Sequence, residues 1–286
     1  MTTMPETVLS DLIDLDRYPL LEPNHDRLRG VIRDAREQLA LDGCARIPGF
    51  IHEKARAILA NETTELTPHA LHSHEEYTPY GTGADDSFPT GHPRRRTHHT
   101  TSGSVTRDLI PMSMHIQKLY CNKDFQQFVA RCLETYQIYQ FADPMRGLII
   151  NTMEEGNSLG WHYDANEFIV TLMTVRADAG GMFRYAPNIR TPGDEKYDDV
   201  KGVLDGTPGL AKDLDLQVGD LQVFRGRYSI HRVDPIEKGC RHTAVFGYAY
   251  EPGFIGNVES TMKVYGRVMQ EHIDADDQQH QDGLTY

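Results

Sequence analysis

Residues 159–175 read Leu-Gly-Trp-His-Tyr-Asp-Ala-Asn-Glu-Phe-Ile-Val-Thr-Leu-Met-Thr-Val. The stretch joins a His-x-Asp pair, His162 and Asp164, to an apolar run from Phe168 to Val175 with strand character. Side chains on an extended strand alternate, so His162 and Asp164 share one face while Trp161 and Tyr163 take the other. A turn, Glu155-Gly156-Asn157, precedes the pair. Such pairs also arise by chance among 14 histidines, and the chain holds two more, His272-Ile273-Asp274 and His280-Gln281-Asp282. Both lie in a polar C-terminal stretch without strand context and read as solvated residues.

The second half of a site follows downstream. Gly219-Asp220-Leu221-Gln222-Val223-Phe224 gives a turn and an apolar strand, and Tyr228-Ser229-Ile230-His231-Arg232-Val233 gives another carrying His231. Two neutral imidazoles and one carboxylate form the facial triad that binds Fe(II) and leaves coordination positions open. His162, Asp164 and His231 are the candidate ligands. Further along come Arg241 and Thr243. A guanidinium recognises a carboxylate through two parallel hydrogen bonds, and a neighbouring hydroxyl adds a third, which suits the distal carboxylate of a dicarboxylic cosubstrate.

Outward from this centre, Leu148–Met153, Met182–Ile189 and Thr243–Tyr250 are further β-rich runs separated by turn residues. Their spacing predicts a mainly β protein with flanking helices and a sandwich or barrel core. Helices are predicted from about Arg27 to Leu41 with Asn24 as cap, over Glu53 to Glu65, and over Asn122 to Glu134. Residues 1–23, Pro68 to Arg107 and the insertion Asp194 to Asp215 read as irregular, and the acidic, Gln-rich end from about 274 as a flexible tail. Trp161 and Cys240 read as packing residues, and Arg232 as a surface ion-pair former.

Composition bounds the partners. Hydrophobic content of 39% and charge of 25% are ordinary for a globular chain. The net charge of −13 argues against nucleic acid, whose phosphates reward basic patches. No apolar run is long enough to cross a bilayer, and the N-terminus has no signal-peptide core. The four cysteines show no CxxC pair and read as reduced thiols, so a cytoplasmic location without membrane association is expected.

The ordered run His-Tyr-Asp, Gly-Asp-Leu-Gln-Val-Phe, His-Arg-Val-Asp-Pro and Arg-His-Thr resembles the signature of Fe(II)/2-oxoglutarate-dependent oxygenases over about Ile150 to Tyr250. A wider stretch, from Asp11 to Gly266, is similar to a narrower group, the carrier-independent, BesD-like amino-acid halogenases and hydroxylases. Residues 11–20, His92-Pro93-Arg94-Arg95, Gly160-Trp161-His162 and residues 185–190 carry this likeness. The resemblance implies a double-stranded β-helix (jelly-roll, cupin-like) core at 147–250 within a single oxygenase domain over 1–286. An N-terminal part (1–146) packs on that core, and a C-terminal extension (251–286) follows. It also implies Fe(II), 2-oxoglutarate and O2 as cofactors, with Asn151 beside Arg241 and Thr243 as a cosubstrate contact.

In the halogenases of that group a glycine stands where hydroxylases carry the metal carboxylate, and halide fills the vacated position. Here the position is Asp164, which implies hydroxylation of a small free amino acid with release of succinate and CO2. Arg94 or Arg95 is the candidate for a substrate α-carboxylate, and Tyr265 for a pocket lid. The alternatives are the same chemistry on a carrier- or protein-bound residue, a desaturation or cyclisation outcome, and a non-oxygenase metal-binding cupin acting as isomerase or sensor.

Overall fold

In the computed structural model, which describes residues 7–279, the strand-like runs pair into two main antiparallel sheets. The larger has the spatial order Cys44–Ile47, Leu221–Phe224, Ile169–Val175, Arg241–Phe246, Leu148–Met153, His98–Thr106, Leu71–Tyr77. The smaller runs Lys212–Leu214, Phe183–Ala186, Ile230–Val233, Leu159–His162. Strands far apart in sequence lie side by side, as Arg241–Phe246 does between Ile169–Val175 and Leu148–Met153. This is a jelly roll, the double-stranded β-helix expected from the motifs.

Strict alternation gives the larger sheet two unlike faces. On the outer face Ile150, Leu172, Val223, Ala244 and Phe246 are buried against the helices Asp26–Asp42, Glu53–Leu66, His115–Cys121 and Lys123–Cys132. On the inner face Ser104, Asn151 and Thr243 stand in one cross-strand row, with Met153 and Arg241 in register one step along. Met153, Phe183, Tyr185, Phe224 and Val233 close the space between the sheets. The site occupies the polar part of this interior.

The predicted helices form, with shifted ends. His25, not Asn24, caps the first, its Nδ1 accepting from the Arg27 N–H at 3.1 Å. Gly43 ends that helix at φ +63°, a conformation that costs other residues a Cβ clash, and donates its N–H to Leu39 O. Asn122 caps the helix Lys123–Cys132 by accepting from the Asp124 and Phe125 N–H groups.

Three expectations are corrected. Pro68–Arg107 is not irregular throughout: Leu71–Tyr77 and His98–Thr106 pair at the sheet edge, leaving a loop at 78–97. The alternation was hidden because the inward positions Thr100, Ser102 and Ser104 are as polar as the outward ones. Thr7–Leu12 and Tyr197–Leu204 are likewise helical inside stretches read as irregular.

Third, the chain past 274 stays regular, in the helix Gln270–Gln279, and His272 is wholly buried, not solvated. Its Nδ1 accepts from the Met269 N–H, and its Nε2 faces Asp143 Oδ2 at 3.2 Å. Asp143, also buried, accepts from the N–H groups of Met145, Arg146 and Gly256. This helix is docked by hydrogen bonds, which a hydrophobic pattern does not register. The pair His280–Asp282 lies outside the described residues. Cys240 is half-buried, not fully buried. Among the described residues no helix is long and apolar enough to cross a membrane.

Candidate metal and cosubstrate site

His162 ends the strand Leu159–His162, and His231 lies on the adjacent strand in direct register with it. Their rings stand 4.1 Å apart between centroids. Each Nδ1 is held by a backbone carbonyl two residues earlier, His162 by Gly160 O at 2.7 Å and His231 by Ser229 O at 3.0 Å. That fixes Nδ1 as the protonated nitrogen and turns each Nε2 lone pair into the interior, as metal-ligating histidines require. Asp164 follows two residues on, its Oδ1 3.5 Å from His231 Nε2. One donor atom from each of the three lies within 4.8 Å of the others.

The electrostatics agree with a cation site. Burial, reinforced by His231, pushes the His162 imidazole down to about 4, so it is neutral near pH 7. Burial alone raises the Asp164 carboxyl, but the two histidines outweigh it and hold the group below its ordinary value. Asp164 Oδ2 is buried and has no hydrogen-bond partner among the described residues. A carboxylate with Oδ1 close to one imidazole Nε2, Oδ2 unpaired and a second imidazole alongside is a donor set a divalent ion satisfies. Phe183 and Phe224 press on the His231 ring, at 5.6 and 4.9 Å, and exclude water there.

Arg241 opens the strand Arg241–Phe246 and is 5% exposed. Its Nη1 donates to Thr243 Oγ1 at 2.7 Å, while its Nε is buried and unpaired. Burial alone lowers the guanidinium to about 10, with no carboxylate beside it among the described residues to offset the cost. A buried cation lacking an anion is a site built for one. Asn151 pairs in register with Thr243, its amide reaching Gly103 O at 3.4 Å, so these three polar groups meet on the inner face.

The other candidates separate. Arg94 stacks over the Tyr80 ring at 4.8 Å and donates from Nε to the Tyr197 hydroxyl at 2.8 Å. The loop it belongs to crosses the metal strand, where Pro79 O accepts from the Tyr163 N–H at 3.1 Å. Arg95 instead pairs with Asp86 at 2.8 Å and with Phe88 O, both in its own loop. Tyr265 is buried beneath Arg146, whose guanidinium lies 5.5 Å from its ring. It therefore packs the helix Val258–Tyr265 onto the chain preceding Leu148 and does not form a lid. Trp161 packs with Ala186, Val200 and Ile230 and under Arg232, away from the ligands, as its alternation implied.

Two residues escaped the sequence reading. Tyr77 ends its strand within the field of Asp164: burial raises its phenol, a Thr100 hydrogen bond opposes that, and Glu75 and Asp164 raise it further. Arg190 lies 3.6 Å over the Tyr163 ring and pairs with Glu195 at 2.9 Å, walling the outer side of the metal strand. Tyr77 sits in no motif, Arg190 lies in the 185–190 stretch without a ligand role legible there, and only tertiary placement brings the two here.

The Halogenase D family model matches residues 29–264. Among solved structures, the chain is similar to a prolyl hydroxylase from Trichoplax adhaerens crystallised with a hypoxia-inducible-factor peptide, at 14% identity and TM-score 0.52, over 80% of this chain and 95% of that one. It is similar to a 2OG-Fe(II) oxygenase-family oxidoreductase from Burkholderia pseudomallei at 19% identity and TM-score 0.50, over 78% and 92% of the two chains. AviO1 from Streptomyces viridochromogenes matches at 18% identity and TM-score 0.51, over 75% and 93%. No curated protein sequence matches the chain. At these identities the structural likenesses speak for the fold.

Proposed function

Because the chain belongs to the Halogenase D family, we propose that it is an Fe(II)- and 2-oxoglutarate-dependent oxygenase, and specifically a hydroxylase of a small free amino acid. One observation carries the reading: an Asp164 carboxylate oxygen lies within 4.8 Å of a ring nitrogen of each histidine, at the position where the resemblance puts a glycine in the halogenases. His162, Asp164 and His231 would hold the iron. Arg241 and Thr243, with Asn151 alongside, would hold the distal carboxylate of 2-oxoglutarate. When bound, iron and cosubstrate supply the power to oxidise an unactivated C–H bond with O2, releasing succinate and CO2.

The chain's own residues supply orientation and shielding. Carbonyl-held imidazoles keep both Nε2 atoms unprotonated and free to ligate, and the Phe183 and Phe224 rings keep bulk water from His231. Arg94, in the loop that crosses the metal strand and with part of its guanidinium uncommitted, is the candidate for the substrate α-carboxylate.

Anaerobic titration with Fe(II) and then 2-oxoglutarate tests the cofactors. A visible charge-transfer band is expected in wild type and not in Arg241→Ala. Succinate release with a product one oxygen heavier, across a panel of free amino acids, tests the substrate. A band with no amino-acid product moves the target to a carrier- or protein-bound residue. Metal binding without a band leaves a non-oxygenase cupin.

A further inference from the structure

Resting on the metal-site reading above, we propose that Gly226 is a positioning residue of that site: its missing side chain is the space into which the Asp164 carboxylate folds. Gly226 is buried, in the turn between Leu221–Phe224 and Ile230–Val233. A Cβ built on it would overlap Asp164 Oδ2 outright and stand 2.5 Å from Cγ and 3.0 Å from Cβ. The three atoms nearest to that Cβ all belong to Asp164, so its carboxylate takes the volume a side chain would fill.

Backbone conformation does not explain this glycine. Many of the chain's glycines have φ between +61° and +90°, but Gly226 is not among them. An L-residue is therefore free to adopt its φ, and only space forbids one. The two loops are also tied together by their main chains. The Asp164 N–H donates to Gly226 O at 3.1 Å, and Arg227 Nη1 donates to Ala165 O at 2.8 Å. Asp164 cannot slide away from a side chain at 226 without breaking these bonds. It can rotate its carboxylate, and that removes the ligand while leaving the fold. Position 226 and position 164 thus form a two-residue choice: a carboxylate ligand at 164 requires glycine at 226.

The test is Co(II) titrated anaerobically into the apo chain, read by its visible d–d bands. Gly226→Ala is expected to lose metal affinity as Asp164→Ala does, by roughly ten- to a hundredfold or more. The double variant Asp164→Ala/Gly226→Ala is expected to bind no more weakly than Asp164→Ala, and to melt within a few degrees of it, because the overlap is gone. Wild-type affinity in Gly226→Ala overturns the inference, as does an additive loss or a collapse in stability of the double variant. If His162→Ala binds Co(II) as tightly as wild type, the metal-site reading itself falls and takes this inference with it. That outcome is distinguished from the others because it appears without any change at 226.

Discussion

The two faces of the larger sheet come from alternate residues of the same strands and do opposite work. On Arg241–Phe246, Ala244 and Phe246 face the helices and are at most 1% exposed, while Arg241 and Thr243 face the other sheet and carry hydrogen-bonding groups. Leu148–Met153 repeats the division with Ile150 outside and Asn151 inside. The outer face gains stability from apolar burial. The inner face forgoes part of that gain, leaving Arg241 Nε buried and unpaired among the described residues, as Asp164 Oδ2 is beside the smaller sheet. Stability and chemistry are separated by one residue of strand, so substitutions on the two faces should fail in different ways.

The sharpest break is Asp164→Gly. Product formation should fall on the order of a thousandfold or more, the scale on which removal of one member of a catalytic unit is felt. Melting temperature should stay near wild type, because the lost group is polar and unsatisfied. Full hydroxylation in this variant would mean that the ligand set is misassigned. Next is Arg241→Ala, which should weaken 2-oxoglutarate by about 2–5 kcal/mol, the cost of truncating one partner of a buried charge pair. Fe(II) affinity should not change. Calorimetric titration of both ligands separates the two, and unchanged cosubstrate affinity would contradict the role given to Arg241.

Leu172→Ala probes the opposite face. Leu172 is fully buried in the cluster shared with the helices, and its truncation should cost about 2–5 kcal/mol of stability. Denaturant unfolding would measure this, while 2-oxoglutarate affinity below the transition stays at its wild-type value. A loss of affinity that matched the loss of stability would show that the two faces are not independent.

What sequence made legible follows the same division. The outer face announced itself as periodic apolar residues, so Leu148–Met153, Ile169–Val175 and Leu221–Phe224 were readable with their helices. The metal ligands were readable for another reason, since His-x-Asp and a later histidine are chemically distinctive. The His98–Thr106 strand was not, because Thr100, Ser102 and Ser104 face an interior that is itself polar. Tyr77 and Gly226 were invisible because their meaning lies in what they stand against. The burial of His272 depends on Asp143, 129 residues away, and no local pattern carries such a pairing.

The smallest effect expected is a pH dependence that comes from the interior alone. His162 is held down to about 4 by burial and by His231, below its ordinary value of 6.5. The unfolded chain therefore binds a proton at this residue between those values while the folded chain does not, so stability rises with pH across the window. The contribution is fully present above pH 6.5 and is lost as pH falls toward 4. Asp164, held below 3.8, titrates beneath this range and does not obscure it. The metal-free protein should lose melting temperature between pH 6.5 and 4 on this account. His162→Gln, which keeps a polar group there but cannot take the proton, should flatten that part of the curve. An outer-face substitution such as Leu172→Ala should lower the whole curve without changing its slope. If His162→Gln keeps the wild-type slope, the imidazole is not held neutral by its surroundings, and the lone pair assigned to the metal is not the one the fold protects.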